Sequence, residues 1–233
     1  MKKYTTLFFD LDNTLWDFSL SAKETFQEIF EINYLKKQGV PSIAHFMEYY
    51  KGINEKLWGD YRENKIQKSE LSYKRFDLTL NEFGIFDTPL AKKMASDYII
   101  ISPFKTRLYN DTIEILEKLK PHFKMLILTN GFEEIQVERM QRTGLNKYFQ
   151  EMVTAEKAHA LKPHPGIFEY AFRVSASLPK DCIMIGDDLE SDIKGAVNAG
   201  IDSIWLHPGS LNHNSPATFK AENLKDLLKI LLH

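Results

Sequence analysis

Leu7-Phe8-Phe9-Asp10-Leu11-Asp12-Asn13-Thr14-Leu15 is the stretch that decides the fold. An apolar run leads straight into two carboxylates one residue apart, which reads as a buried strand opening into a loop. Strand residues point to alternate faces, so Asp10 and Asp12 are expected on the same side. Two neighbouring carboxylates are costly unless a cation lies between them or one keeps its proton. The pattern therefore points to metal-assisted acyl or phosphoryl transfer at a strand end. A helix-loop-helix calcium site would need glycine at the sixth position and glutamate at the twelfth. Counted from Asp10, those positions hold Leu15 and Ser21. The remaining alternative is a polar loop in which Asp12 or Asn13 caps the next helix.

Beyond this stretch the chain turns helical. Ser19 or Ser21 is expected as a cap, with Phe26, Ile29, Phe30 and Leu35 at helical spacing before Gly39-Val40-Pro41. Further helical patterns carry Ile43 to Tyr61, Leu71 to Phe83 and Pro89 to Ile101. The aromatics here are mostly the core of a small bundle, with a minority left to face a ligand. After Pro103, helices and strands alternate. Strands are expected at Phe123–Thr129, Met152–Thr154, Cys182–Ile185 and Ile201–Leu206. Helices are expected at Asn110–Leu119, Glu133–Arg142, Gly166–Ser175, Asp192–Ala199 and Leu224–Leu232. Such alternation implies an α/β fold whose parallel sheet is covered on both faces, with ligands at the carboxyl ends of strands.

Composition narrows the partners. With 233 residues, 43% of them hydrophobic, the chain can bury one large core, or a core plus a smaller satellite. A net charge of −2 with both signs interspersed gives no footprint for nucleic acid or an anionic membrane. The lone cysteine, Cys182, fits a reducing compartment and reads as an inert, buried thiol. Met1-Lys2-Lys3 could open a secretory signal, but Asp10 and Asp12 interrupt the apolar run behind it, so it reads as the lead into the first strand. No stretch approaches the roughly 18 apolar residues needed to span a bilayer. A cytoplasmic protein, monomeric or weakly dimeric, is expected. Neither a G-x-x-x-x-G-K-[ST] nor a G-x-G-x-x-G loop is present, which removes the usual support for nucleotide-driven kinase or hydride-transfer chemistry.

Four strand ends carry polar residues in order: Asp10 and Asp12; Thr129-Asn130-Gly131; Lys162 before Pro163; and Asp187-Asp188 with Asp192. Together they read as a metal and phosphate site. In order, type and spacing the set resembles the haloacid dehalogenase superfamily of phosphatases over nearly the whole chain. That resemblance implies a three-layer Rossmann-like core, residues 1–16 and 98–233, with an inserted all-helical cap, residues 17–97. It also implies Asp10 as nucleophile and Asp12 as general acid and base. Mg²⁺ would be held by Asp10, the backbone carbonyl of Asp12, and Asp187. The phosphate would be held by Thr129, Asn130, Gly131 and Lys162. Asp192 would support the metal waters or orient Lys162, and Asp188 stands where relatives often carry a small polar residue. The chemistry agrees: a phosphomonoester dianion repels a carboxylate nucleophile, so cations must neutralise both.

Within that superfamily, Thr129-Asn130-Gly131-Phe132 followed by Gln136, Arg139, Arg142-Thr143-Gly144-Leu145 and Tyr148-Phe149 looks like the branch that includes pyrimidine 5′-nucleotidases. The substrate implied is a small phosphomonoester, with nucleoside monophosphates first. Alternatives are a phosphatase of phosphoglycolate or a sugar phosphate, a sugar phosphomutase, and a silent phospho-ligand-binding protein. A dehalogenase needs no acid two residues after its nucleophile, and Asp12 fills that position.

Overall fold

The computed structural model describes residues 4–232; Met1-Lys2-Lys3, read above as the lead into the first strand, lie outside them. Strand β1 covers Thr6–Phe9 and is fully buried. Four helices follow: α1 (Phe18–Ile32), α2 (Ile43–Arg62), α3 (Lys68–Asn81) and α4 (Thr88–Ile101). Ser19 and Ser21, expected as caps, instead lie inside α1, where Ser21 is buried. The chain then runs through α5 (Thr112–Leu119), β2 (Lys124–Thr129), α6 (Glu133–Thr143), β3 (Glu151–Thr154), α7 (Ala155–Ala158) and α8 (Pro165–Ser175). It ends with β4 (Cys182–Gly186), α9 (Lys194–Asn198), β5 (Asp202–Leu206), β6 (Phe219–Ala221) and α10 (Asp226–Leu232).

The residues form two compact units, one up to Ser19 and from Thr106 onward, the other Leu20–Lys105. Breaks were expected at 16/17 and 97/98; α4 continues to Ile101 and a 3₁₀ turn, Ser102–Lys105, carries the helical unit further. Local chemistry sets its helix starts. Ser42 accepts from His45 N, Asp87 accepts from Leu90 N at 2.9 Å with Pro89 in the first turn, and Gln67 and Glu70 form a capping box. Phe26, Phe46, Tyr50, Phe76 and Tyr98 pack ring against ring in the centre of this unit, with centroids 4.5–6.5 Å apart. Of the fourteen aromatics in this unit six are buried, these five and Phe30, so fewer are spent on the core than expected; Tyr34, Tyr49, Phe86 and Phe104 are exposed.

The other unit holds the sheet. Among the described residues, six parallel strands run in the order β3-β2-β1-β4-β5-β6. Strand alternation in β1 sends Leu7 and Phe9 to one face, where α5, α10 and Met140 of α6 cover them. Phe8 goes to the other face, under Ile167, Phe168 and Ala171 of α8 and Ala196 of α9. These are the three layers that the sequence implies. Gly144 ends α6 in the left-handed region at φ 68°, as its position past the helix suggests. Strand β6 was not among the expected elements, and the helix expected from Asp192 starts at Lys194, after a wide π-type turn at Leu189–Ile193. No helix among the described residues is long and apolar enough to cross a membrane.

Candidate active site

With β1 central in the sheet, its carboxyl end lies between those of β2 and β4. The Asp10 amide still bonds to Ile185 O at 2.9 Å, and then the chain coils. Leu15 N and Thr14 N both donate to Leu11 O, Asn13 N donates to Trp16 O, and Asn13 adopts φ 62°, a region asparagine tolerates. Alternation therefore stops at the strand end. Asp10 and Asp12, expected on one side, turn to separate partners.

Asp10 meets Lys162. The Lys162 ammonium donates to Asp10 Oδ1 at 2.5 Å, to Asp192 Oδ1 at 2.7 Å and to Leu128 O at 2.7 Å, and the lysine is 1% exposed. Burial works against its charged form, but Asp10 and Asp192 outweigh burial and raise its pKa. Burial pushes Asp10 up, against the pull of Lys162 and with the push of Asp192, Asp187 and Asp12. The same conflict of burial with Lys162 leaves Asp192 raised. Lys162 is delivered by a clasp that the sequence did not reveal. The Asn130 amide accepts from Lys162 N at 2.8 Å and donates to Lys162 O at 2.9 Å, and the Lys162–Pro163 peptide is cis. Asp192 reaches the cluster across Gly186, where an added Cβ would sit 2.2 Å from its Oδ2.

Asp187 completes the acidic group. Trp205 Nε1 donates to its carbonyl at 2.8 Å and Thr14 Oγ1 to its Oδ1 at 3.3 Å. Burial, then Asp192 and Asp188, push its pKa up to about 7. One carboxylate oxygen from each of Asp10, Asp187 and Asp192 lies within 4.8 Å of the others. Three carboxyls share one ammonium, so the cluster is short of positive charge, and its all-oxygen donor set fits a hard divalent cation. Asp192 already gives Oδ1 to Lys162 and Oδ2 to Asp188 N. Asp188 is exposed and caps the turn after β4, accepting from Ser191 N at 2.7 Å.

Asp12 has a different set of neighbours. Its Oδ1 accepts from Trp16 Nε1 at 2.7 Å and Arg139 Nη1 at 3.0 Å, and its Oδ2 from Gln136 Nε2 at 2.7 Å. Gln136 also reaches Thr129 Oγ1 at 3.2 Å. The Gly131 amide, expected to face a phosphoryl group, donates to Thr129 Oγ1 at 3.0 Å here. Gln136 and Arg139 stood in the sequence only as marks of a resemblance; the signal that could have found them is two long polar side chains on one face of a helix that otherwise packs on the sheet.

The comparisons agree with this architecture. Residues 4–200 match the family model for haloacid dehalogenase-like hydrolases. The pyrimidine 5′-nucleotidase PynA of Streptococcus pneumoniae is 32% identical over 98% of this chain and 95% of its own length. The pyrimidine 5′-nucleotidase YjjG of Escherichia coli is 30% identical over 98% of each. The crystal structure of the HAD-hydrolase YfnB from Bacillus subtilis, bound to magnesium, superposes over 100% of both chains with a TM-score of 0.89 at 28% identity. A match of this extent, on a chain whose sheet brings the acidic strand ends and the buried lysine together, means that the chain belongs to the haloacid dehalogenase-like hydrolases.

Proposed function

We propose that this hydrolase is a Mg²⁺-dependent phosphomonoester phosphatase that works through an aspartyl phosphate on Asp10, with pyrimidine nucleoside monophosphates as preferred substrates. The observation that carries the reading is a buried carboxyl at the end of β1, Asp10, bound to a buried ammonium, Lys162, beside two more carboxyls. Asp10 and Asp187, with the backbone carbonyl of Asp12, would hold the ion. Bound there, Mg²⁺ supplies positive charge against the phosphoryl oxygens.

In this reading Asp10 Oδ attacks phosphorus. The carboxylate–phosphorus bond forms as the ester P–O bond breaks, and the leaving alkoxide takes a proton from Asp12. Asp12 next removes a proton from water, whose oxygen attacks phosphorus. The acyl-phosphate P–O bond breaks, phosphate leaves, and both aspartates are restored. Lys162 lowers the repulsion between Asp10 and the dianion, Asp192 holds Lys162 in place, and Thr129 with the N–H groups of Asn130 and Gly131 receives the phosphoryl oxygens. The nucleotide preference rests on the two nucleotidase relatives.

A phosphate-release panel tests both levels. Thymidine, deoxyuridine or uridine monophosphate is expected to give a higher kcat/KM than phosphoglycolate and hexose phosphates, with activity lost in chelator. Clear preference for a sugar phosphate or phosphoglycolate rejects the nucleotidase assignment alone. Isomerised phosphosugar in place of free phosphate identifies a mutase, and no phosphate from any ester rejects the phosphatase.

A further inference from the structure

Helix α6 presents Gln136 and Arg139 one turn apart, and both side chains end on Asp12. Arg139 is 2% exposed, its guanidinium lying 5.6 Å from the Trp16 ring centre and 5.7 Å from that of Phe18. A buried guanidinium is costly unless a carboxylate meets it. Asp12 is that carboxylate, while Arg139 Nε and Nη2 find no hydrogen-bond partner among the described residues. Asp12 itself is 26% exposed, so the acid faces outward and its cation stands behind it. Gln136 takes the other oxygen and ties it to Thr129. The space Gln136 needs is left by Gly131, where an added Cβ would come within 2.2 Å of Nε2.

We propose that Arg139 is the positioning residue for Asp12, with Gln136 as the second arm of a clamp that fixes the direction in which the Asp12 carboxyl passes its proton. The inference rests on the acid–base role given to Asp12 above. Held by donors on both oxygens, the carboxyl keeps one orientation through both half reactions, and Arg139 never touches substrate. Misplacement of a catalytic group by about 1 Å costs on the order of 10²-fold in rate, which sets the size of the effect.

The test is single-turnover phosphoryl transfer to the enzyme from p-nitrophenyl phosphate, whose leaving group needs no acid, and from a nucleoside monophosphate, whose leaving group does. Arg139→Gln is expected to lose about 10²-fold on the nucleotide and only a few-fold on the aryl ester. Added to Asp12→Ala, it is expected to do nothing further. Arg139→Lys and Gln136→Leu carry the same comparison should Arg139→Gln fail to fold, both with the larger loss on the nucleotide. Equal losses on the two esters in folded variants, or full additivity with Asp12→Ala, overturn the clamp while leaving the phosphatase intact. Wild-type protein that transfers no phosphoryl group from either ester overturns the phosphatase reading, and the clamp with it.

Discussion

Asp10 and Asp12, two residues apart at the end of β1, are bound to different cations: Lys162 lies 2.5 Å from Asp10 and Arg139 lies 3.0 Å from Asp12. The proposed mechanism asks one carboxylate to attack phosphorus and the other to move protons, which calls for different surroundings, and the coil from Leu11 to Trp16 separates the two. Lys162, expected at a strand end, arrives instead from the loop between α7 and α8, and Arg139 from α6. Substitutions on the two sides should therefore fail differently.

Asp10→Asn is expected to fold and to lose turnover. In wild-type protein quenched with acid during turnover, mass spectrometry should find the phosphoryl group on the peptide containing Asp10. A phosphorylated peptide elsewhere would relocate the nucleophile.

Asp12→Ala should slow both half reactions by a factor on the order of 10² to 10⁴. Rapid-quench measurement separates them: a better leaving group should rescue phosphorylation of the enzyme but not release of phosphate from it. Rescue of both steps would deny Asp12 the role of base.

Asp187→Asn should raise the Mg²⁺ concentration needed for half-maximal activity far more than Asp188→Asn does. Asp188 caps a turn at the surface, whereas Asp187 lies within the carboxylate cluster. Titration of activity with Mg²⁺ decides the ranking, and the reverse order would reassign the ligand.

Without metal, stability should fall as pH rises. Burial and neighbouring carboxyls raise Asp187 to about 7, and Asp10 and Asp192 are also raised. Unfolded carboxyls titrate near 4, roughly, so between that pH and about 7 the folded protein binds more protons than the unfolded one. The stabilisation is full below the unfolded value and lost as pH rises through about 7. Tm in chelator should drop from the acid to the alkaline side of this window, and Asp187→Asn should flatten the drop. A wild-type Tm that climbs through it would contradict the cluster's charge balance.

Cys182 should resist alkylation in the native protein. Burial pushes its thiol up to about 12, and the side chain packs beneath α8 and α9. Labelling with iodoacetamide should follow unfolding; rapid labelling under native conditions would mean that this face opens.

Much of this site was legible because polar and acidic residues interrupt the apolar runs at strand ends. Asp10, Thr129 and Asp187 stand where a continuous apolar run stops, and a run of that kind is visible in one dimension; Lys162 was marked only by the proline behind it. What stayed hidden were contacts closed only by folding. Gln136 and Arg139 meet Asp12 from 124 and 127 residues away, and the side chain of Asn130 grips the backbone of Lys162 across 32 residues. The alternation rule misled where the chain coiled after Phe9. Ser19 and Ser21 misled because a serine near an apolar stripe signals a cap only if the helix starts there, and α1 starts at Phe18. Strand β6 was missed because three residues are too few for a period to register.

The place of β1 in the sheet also sets a timetable during synthesis. Its ladder partners begin at Lys124 and Cys182, so the strand bearing Asp10 emerges long before anything it can pair with. At roughly 5–20 residues per second, the ribosome takes about 10–35 s to travel from Thr6 to Cys182. Until Lys124 is made, the apolar run Leu7-Phe8-Phe9 has no strand to pair with, and until Cys182 is made it has a partner on one side only, while residues 20–105 can already condense on their own local contacts. The strand that ends in Asp10 is therefore the first one made and the one that waits longest between its own synthesis and that of its second partner.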